Sequence, residues 1–416
     1  KGYLEMLNRE SFISYLQWFI LLALFAYDGF TYLPEESNFA LYKSIYYVFI
    51  FIAFLLVCTL QINHGRLMHR HLGSISYAIQ IYFGLYLVRL FYDFMIVGVN
   101  QEIVTNPFTA IFLYVNAAII PFYGFYVFKW NLIDLKKLNT AMLGIFLIMG
   151  MVSMWYIFTG KAASEYLGDD GRFMGNASMD TIAFGHLGTS ITILGLSLLY
   201  QADIRFLHKI LGAFAILSGL FITLAAGSRG AIVALLLCFV AYLYMNGHKL
   251  KILIGLPVLA AIFIALLPIL RDILASYGNL ALDRLYNSIY APDSMKAGVT
   301  SGRDVLYDQA WKNILQSPIL GSSLYIEGEY VHNSILESFL GLGIIGGLLF
   351  SIIILRTLGI AFRMAEEDKG CLFVSLLFVQ YLSYSLFSRT LSMLPLFWMS
   401  LYLVIFLNAR KNDLTA

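Results

Sequence analysis

The sequence predicts an all-α, polytopic membrane protein, and three observations carry that assignment. Only 12% of its 416 residues are charged and 60% are hydrophobic, whereas a soluble domain carries about twice that charged share. The mean hydropathy is +0.77. About twelve apolar runs, most near the roughly 20 residues needed to span hydrocarbon, follow one another with short polar intervals and a single long one.

The predicted spanning helices are 12–29, 41–61, 74–98, 107–128, 140–159, 182–200, 206–225, 229–246, 250–270, 333–355, 371–387 and 391–408. Most of the 27 Lys and Arg residues fall in alternate intervals: 64–71, 129–137, 205–209, 249–251, 356–369 and 410–411, together with Lys1 and Arg9. The excess of positive charge in short loops marks the cytoplasmic side, so both termini are expected there. Lys1 and Arg9 precede an apolar stretch with no small-residue cleavage pattern, which predicts an uncleaved first span. The net charge of +2 is spread over these loops and gives no footprint for nucleic acid. Cys58, Cys238 and Cys371 lie in or beside apolar runs, which argues against a disulfide framework or a zinc site.

Three divisions follow. Residues 1–270 hold nine spanning helices with short loops, 271–331 form a large outer loop, and 332–416 hold the last three spanning helices. Within the loop, Ser301 and Asp304 resemble a capping box. Val305, Leu306, Ala310, Ile314 and Leu315 then recur at helical spacing, and Pro318 ends the segment. An amphipathic helix along the membrane surface is expected there. No internal repeat of the kind that marks many transporters is visible.

Polar chemistry gathers on the outer side. Arg172, Arg229, Arg303 and Arg389 each sit near an outward-facing helix end, against the positive-inside bias. A guanidinium suits bidentate recognition of phosphate oxygens and stays charged when half-buried; the alternative for each is to snorkel to lipid headgroups. Gly227-Ser228-Arg229-Gly230 forms a tight turn whose following N–H groups favour an anion. His332 precedes Asn333, a good N-cap, with Glu337 one turn on. The helix N-terminus disfavours imidazolium and keeps the histidine available as a base; the plainer alternative is a histidine satisfying a loop carbonyl. Asp169-Asp170 is a rival centre suited to a divalent metal, or a solvated loop. Arg89 and Asp93, spaced i, i+4 inside a span, neutralise each other and read as structural.

These residues resemble the O-antigen ligase and polymerase superfamily. The resemblance rests on Gly171-Arg172-Phe173-Met174-Gly175-Asn176, on Gly227-Ser228-Arg229-Gly230-Ala231, and on Ser301-Gly302-Arg303 with Trp311, Gly321, His332-Asn333-Ser334 and the glycine-rich 341–346 segment. It implies inverting glycosyl transfer from an undecaprenyl-diphosphate-linked glycan to a sugar hydroxyl, without metal or other cofactor, at the periplasmic face of the bacterial inner membrane. Arg172, Arg229 and Arg303 would hold the diphosphate and His332 would take the acceptor proton, with Ser228, Asn333 and Glu337 in support. Trp311, Tyr325 and Tyr330 would stack on sugars. No family role matches His186. The acceptor is another glycan for a surface-polysaccharide polymerase, the preferred branch, or lipid A-core for a ligase; membrane lipids and a chain-length regulator are further partners. A lipid or glycan transporter without catalysis remains the alternative from another class.

Overall fold

The computed structural model describes residues 2–26, 39–62, 73–98, 107–158, 173–174, 179–201, 205–247, 249–276, 282–290 and 303–415. In chain order the helices are α1 (Gly2–Phe25), α2 (Phe39–Ile62), α3 (Gly73–Phe91), α4 (Pro107–Tyr114), α5 (Ile120–Tyr126), α6 (Leu135–Phe158), α7 (Thr181–Tyr200), α8 (Phe206–Ala225), α9 (Arg229–Met245) and α10 (Lys249–Ser276). They continue as α11 (Asp283–Tyr290), α12 (Arg303–Gln316), α13 (Ser334–Glu367), α14 (Leu372–Phe387) and α15 (Pro395–Thr415). Helix occupies each of the twelve predicted apolar runs. Among the described residues, six helices are long and apolar enough to cross a membrane: Gly73–Val97, Leu135–Trp155, Thr181–Tyr200, Phe206–Ala225, Ser334–Glu367 and Lys369–Phe387. Shorter apolar stretches lie in α1, α2, α4–α5, α9 and α15.

The all-α expectation needs one local correction. Between α12 and α13 the chain forms a minimal antiparallel hairpin of β1 (Tyr325–Ile326) and β2 (Glu329–Tyr330). Glu327 and Gly328 turn it with φ of 51° and 91°, the pair of left-handed residues that a two-residue hairpin favours.

Two kinds of contact hold the helices. α7 and α8 meet backbone to backbone: a Cβ on Gly188 would lie 2.6 Å from the Gly219 carbonyl oxygen, and the reverse is equally close. Small residues allow this approach where lipid supplies no hydrophobic drive between helices. α3, α4, α5 and α15 instead share an aromatic core of Phe83, Tyr114, Phe122, Trp398 and Tyr402, all buried. The Tyr402 hydroxyl donates to the Ala118 carbonyl at 2.8 Å inside a π-helical turn, Val115–Ile119, where widening disturbs the ordinary ladder.

α3 also ends in a π-helical turn, Tyr92–Val97. There Asp93, fully buried, pairs with Arg89 at 2.8 Å. Its second oxygen accepts from the Leu324 N–H at 2.8 Å and the Ser323 hydroxyl at 3.3 Å. The acid therefore does more than neutralise its arginine: it fastens the start of the hairpin to α3.

α13 is broken. Gly343 leaves the helix at φ 64°, ψ −161°, and the chain around Pro318–Ser322 packs into the gap. The Pro318 carbonyl accepts from Ile344 N–H at 2.8 Å, and the Leu340 carbonyl accepts from Ser322 N–H at 2.7 Å. Groups freed by the break are thus satisfied within the protein, as a low-dielectric setting requires. A Cβ on Gly343 would lie 2.2 Å from the Ile319 carbonyl oxygen. Gly343→Ala should therefore lose at least about 1–3 kcal/mol from backbone strain. Gly359→Ala, in the helical part of α13 with open space around it, should gain about 0.5–1 kcal/mol. Thermal unfolding in detergent reads both; equal effects would contradict the break.

Candidate active site

The site lies where the connections around α7, α9, α12, α13 and α14 come together. Asn333 caps α13, its side-chain oxygen accepting from the Ile335 and Leu336 N–H groups at 3.1 and 3.0 Å. Ser334 bonds Ser385 of α14 at 2.9 Å. In the same first turn Glu337, fully buried, accepts from the Tyr86 hydroxyl of α3. It also accepts from the Thr390 hydroxyl at 2.7 Å and the Leu391 N–H at 3.2 Å. One carboxyl therefore ties α3, the start of α13 and the α14–α15 connection together.

His332 precedes this cap with φ 56°, a left-handed conformation that is uncommon outside glycine. Its ring lies 4.3 Å from that of Tyr330. Nδ1 is buried without a hydrogen-bond partner among the described residues. Burial, then the Arg303 charge, push the imidazole down to about 4. The expected neutral histidine thus has burial and Arg303 as its causes, where the sequence offered the helix terminus. Arg303 opens α12, half-buried, and burial raises the phenol pKa of Tyr307, one turn on, against the influence of the Arg303 charge and the Asn333 side chain.

Arg229 opens α9 behind Ser228, which is buried and makes no side-chain cap. A Cβ on Gly185 of α7 would lie 3.1 Å from the Ser228 Cβ, and one on Gly230 would lie 3.8 Å from the Phe387 Cβ at the end of α14. The turn is thereby wedged between α7 and α14. Two residues past Phe387, Arg389 pairs with Asp180 at 2.9 Å, and the second Asp180 oxygen caps α7 by accepting from Ala183 N–H at 2.7 Å. Burial works against the Asp180 carboxylate, but Arg389 and the backbone N–H groups hold its pKa below the ordinary value.

Tyr330 links these groups. Burial raises its phenol pKa, and the charges of Arg389, Asp180, Arg303 and Glu337 all act on it. Basic groups from α12 and from beyond α14 therefore share one electrostatic neighbourhood with His332. Such a place can bind an anion and accept a proton. Among the described residues no group of three His, Cys, Asp or Glu side chains is arranged to hold a metal ion.

The other predicted positions divide. Arg172 and Asp169-Asp170 lie outside the described residues, as do Ser301 and Gly302. Trp311 is 58% exposed, while its α12 neighbours Ala310 and Ile314 are buried. Tyr325 is buried with its ring against Phe94 at 5.6 Å. Only Tyr330 of the three aromatic candidates stands beside His332. Sequence reasoning noticed Arg389 as an outward arginine but gave it no role, and it passed over Asp180. The available signal for Asp180 was an acid directly before an apolar run, the mark of an N-cap.

Residues 213–351, from α8 into α13, match the model of a family described as O-antigen ligase. No curated protein matches the chain. The matched segment contains Ser228, Arg229, Arg303, His332, Asn333 and Glu337.

The histidine yields a pH prediction. Its folded pKa of about 4 lies below the ordinary 6.5, so as pH falls from about 6.5 the unfolded chain binds this proton first. His332 therefore weakens the fold progressively between about pH 6.5 and 4 and is neutral to stability above that window. NMR of histidine-labelled protein, assigned with His332→Gln, should show the ring titrating near 4. Titration at or above 6.5 would contradict the burial and the effect of the Arg303 charge.

Proposed function

We propose that this chain, whose residues 213–351 match the O-antigen ligase family model, is a member of the O-antigen ligase/polymerase superfamily and transfers a glycan from an undecaprenyl-diphosphate-linked donor to a sugar hydroxyl at the periplasmic face of the bacterial inner membrane. The support comes from the shared neighbourhood of Arg303, His332 and Tyr330 at the head of α13. Arg303 and Arg229, with Arg172, hold the diphosphate. The anomeric carbon–oxygen bond to phosphate breaks with its electron pair passing to the diphosphate. The guanidinium groups stabilise that growing charge, the electrostatic role that a half-buried site enlarges. The acceptor oxygen attacks the opposite face of the anomeric carbon, which inverts it, and its proton passes to His332. The arginines supply the positive charge, so the proposed reaction needs no metal.

Donor binding also prepares the base. Arg303 lowers the histidine pKa, and a bound diphosphate offsets that charge, raising the basicity of His332 when the acceptor arrives. The acid limb of kcat, which reports the substrate complex, should then lie at higher pH than that of kcat/KM. Coincident limbs would remove this coupling.

We favour a polymerase, in which the acceptor is a second lipid-linked repeat; the description of the matched family favours a ligase that uses lipid A-core. Purified protein given lipid-linked repeats alone should produce a ladder. A single shift that requires lipid A-core would make it a ligase, and no product from folded protein would return the transporter reading. Arg303→Ala and His332→Ala should each lower turnover by about 100-fold or more with unchanged folding, and chelators should leave it intact. Wild-type turnover in either variant would remove the mechanism.

A further inference from the structure

We propose that Asp180 and the donor's diphosphate compete for Arg389: the Asp180–Arg389 ion pair is an internal latch, and Arg389 is a donor-contacting residue that leaves Asp180 when the lipid headgroup binds. The inference rests on the glycosyl-transfer reading for the identity of the anion and assigns residues that the reading leaves unused.

The backbone at Arg389 is held unusually firmly. Its φ of 58° is left-handed, a strained conformation for an L-residue with a side chain that persists only where neighbours enforce it. The neighbours are identifiable. Thr390 and Leu391 bond Glu337, the Leu391 carbonyl accepts from the Trp398 indole at 2.9 Å, and Ser388 and Thr390 are buried. The strain therefore fixes where the Arg389 side chain leaves the backbone.

The ion pair sits at the edge of the buried region. It joins one guanidinium nitrogen to one carboxylate oxygen at 2.9 Å, with side-chain exposures of 28% for Arg389 and 47% for Asp180, so the Asp180 carboxyl is packed about by protein while part of its surface reaches solvent. Solvated pairs of this kind hold weakly, whereas a diphosphate offers bidentate, doubly charged acceptance to the same fork. Asp180 stays in place on exchange because its other oxygen remains bonded to the α7 backbone. The Arg389 charge acts on Tyr330, whose ring lies beside His332, and Phe387, two residues before Arg389, packs against the turn that carries Arg229. A purely structural clamp between α7 and the α14–α15 connection would need none of this asymmetry.

The test is the affinity of purified full-length protein for a polyprenyl diphosphate, measured in detergent without turnover. Asp180→Asn preserves the helix cap, since asparagine caps as well as aspartate, and deletes only the competing charge. It should bind about two- to fivefold tighter. Arg389→Gln should bind at least about tenfold more weakly, and adding Asp180→Asn to it should change nothing further. Unchanged or weaker binding by Asp180→Asn with a wild-type melting temperature would overturn the latch, as would wild-type affinity in Arg389→Gln. Should Arg389→Gln not fold, Arg389→Lys serves, with weaker binding expected and wild-type affinity contradicting. Failure of the wider reading looks different: wild-type protein would then bind the probe no better than Arg303→Ala does.

Discussion

The buried carboxyl of Glu337 is the interaction on which the site depends. It stands in the first turn of α13 with no exposure, and its partners come from two distant parts of the chain: Tyr86 of α3, and the adjacent Thr390 and Leu391 of the α14–α15 connection. Each donor would carry a desolvation penalty of about 1–3 kcal/mol if left unsatisfied, so the three positions are locked to one another. His332 lies five residues before this lock and Arg389 one residue before Thr390. The chemistry is thus placed by a buried network and by helix ends, and the loops carry it only as far as those anchors allow. Asp93 acts in the same way one step outward, holding Ser323 and Leu324 to the end of α3. α3 therefore serves as the post to which both the hairpin and the head of α13 are tied.

Charge explains why so much polar anchoring gathers here. Burial first, and then the charge of half-buried Arg303, which raises the cost of any further cation, keep His332 neutral. The same field that suppresses imidazolium attracts a phosphate group, and in a region of low effective dielectric both effects exceed their values in water. In the proposed reaction an anionic substrate would relieve the field and restore the base, so that binding and proton transfer would be linked through one arginine.

The helices were legible because hydrophobic runs of spanning length are an unambiguous signal, and a helix stands in every predicted run. Glycines at 341 and 343 were visible in the sequence, but their meaning was not. The break they permit depends on a carbonyl at Pro318 and an N–H at Ser322 that come from the preceding loop. The π-helical turns at Tyr92–Val97 and Val115–Ile119 have no periodic signature, and the 325–330 hairpin is too short for alternation to register. His332, Asn333 and Arg303 were found because each sits at a helix start, where local rules apply. Asp180 and Arg389 were not paired because 209 residues separate them, and nothing local in either segment names the other. Glu337 was noticed for its position after His332, while its partners 251 and 53 residues away were beyond the reach of sequence.

The most direct measurement is a cryo-EM reconstruction of the protein with an unreactive phosphonate analogue of a lipid-linked glycan. The account predicts diphosphonate density within hydrogen-bonding distance of Arg303 and Arg389, Asp180 released from Arg389, and the first sugar beside His332 and Tyr330. Density for the headgroup near the bilayer midplane, with the Asp180–Arg389 pair intact and His332 distant, would contradict it and point to transport.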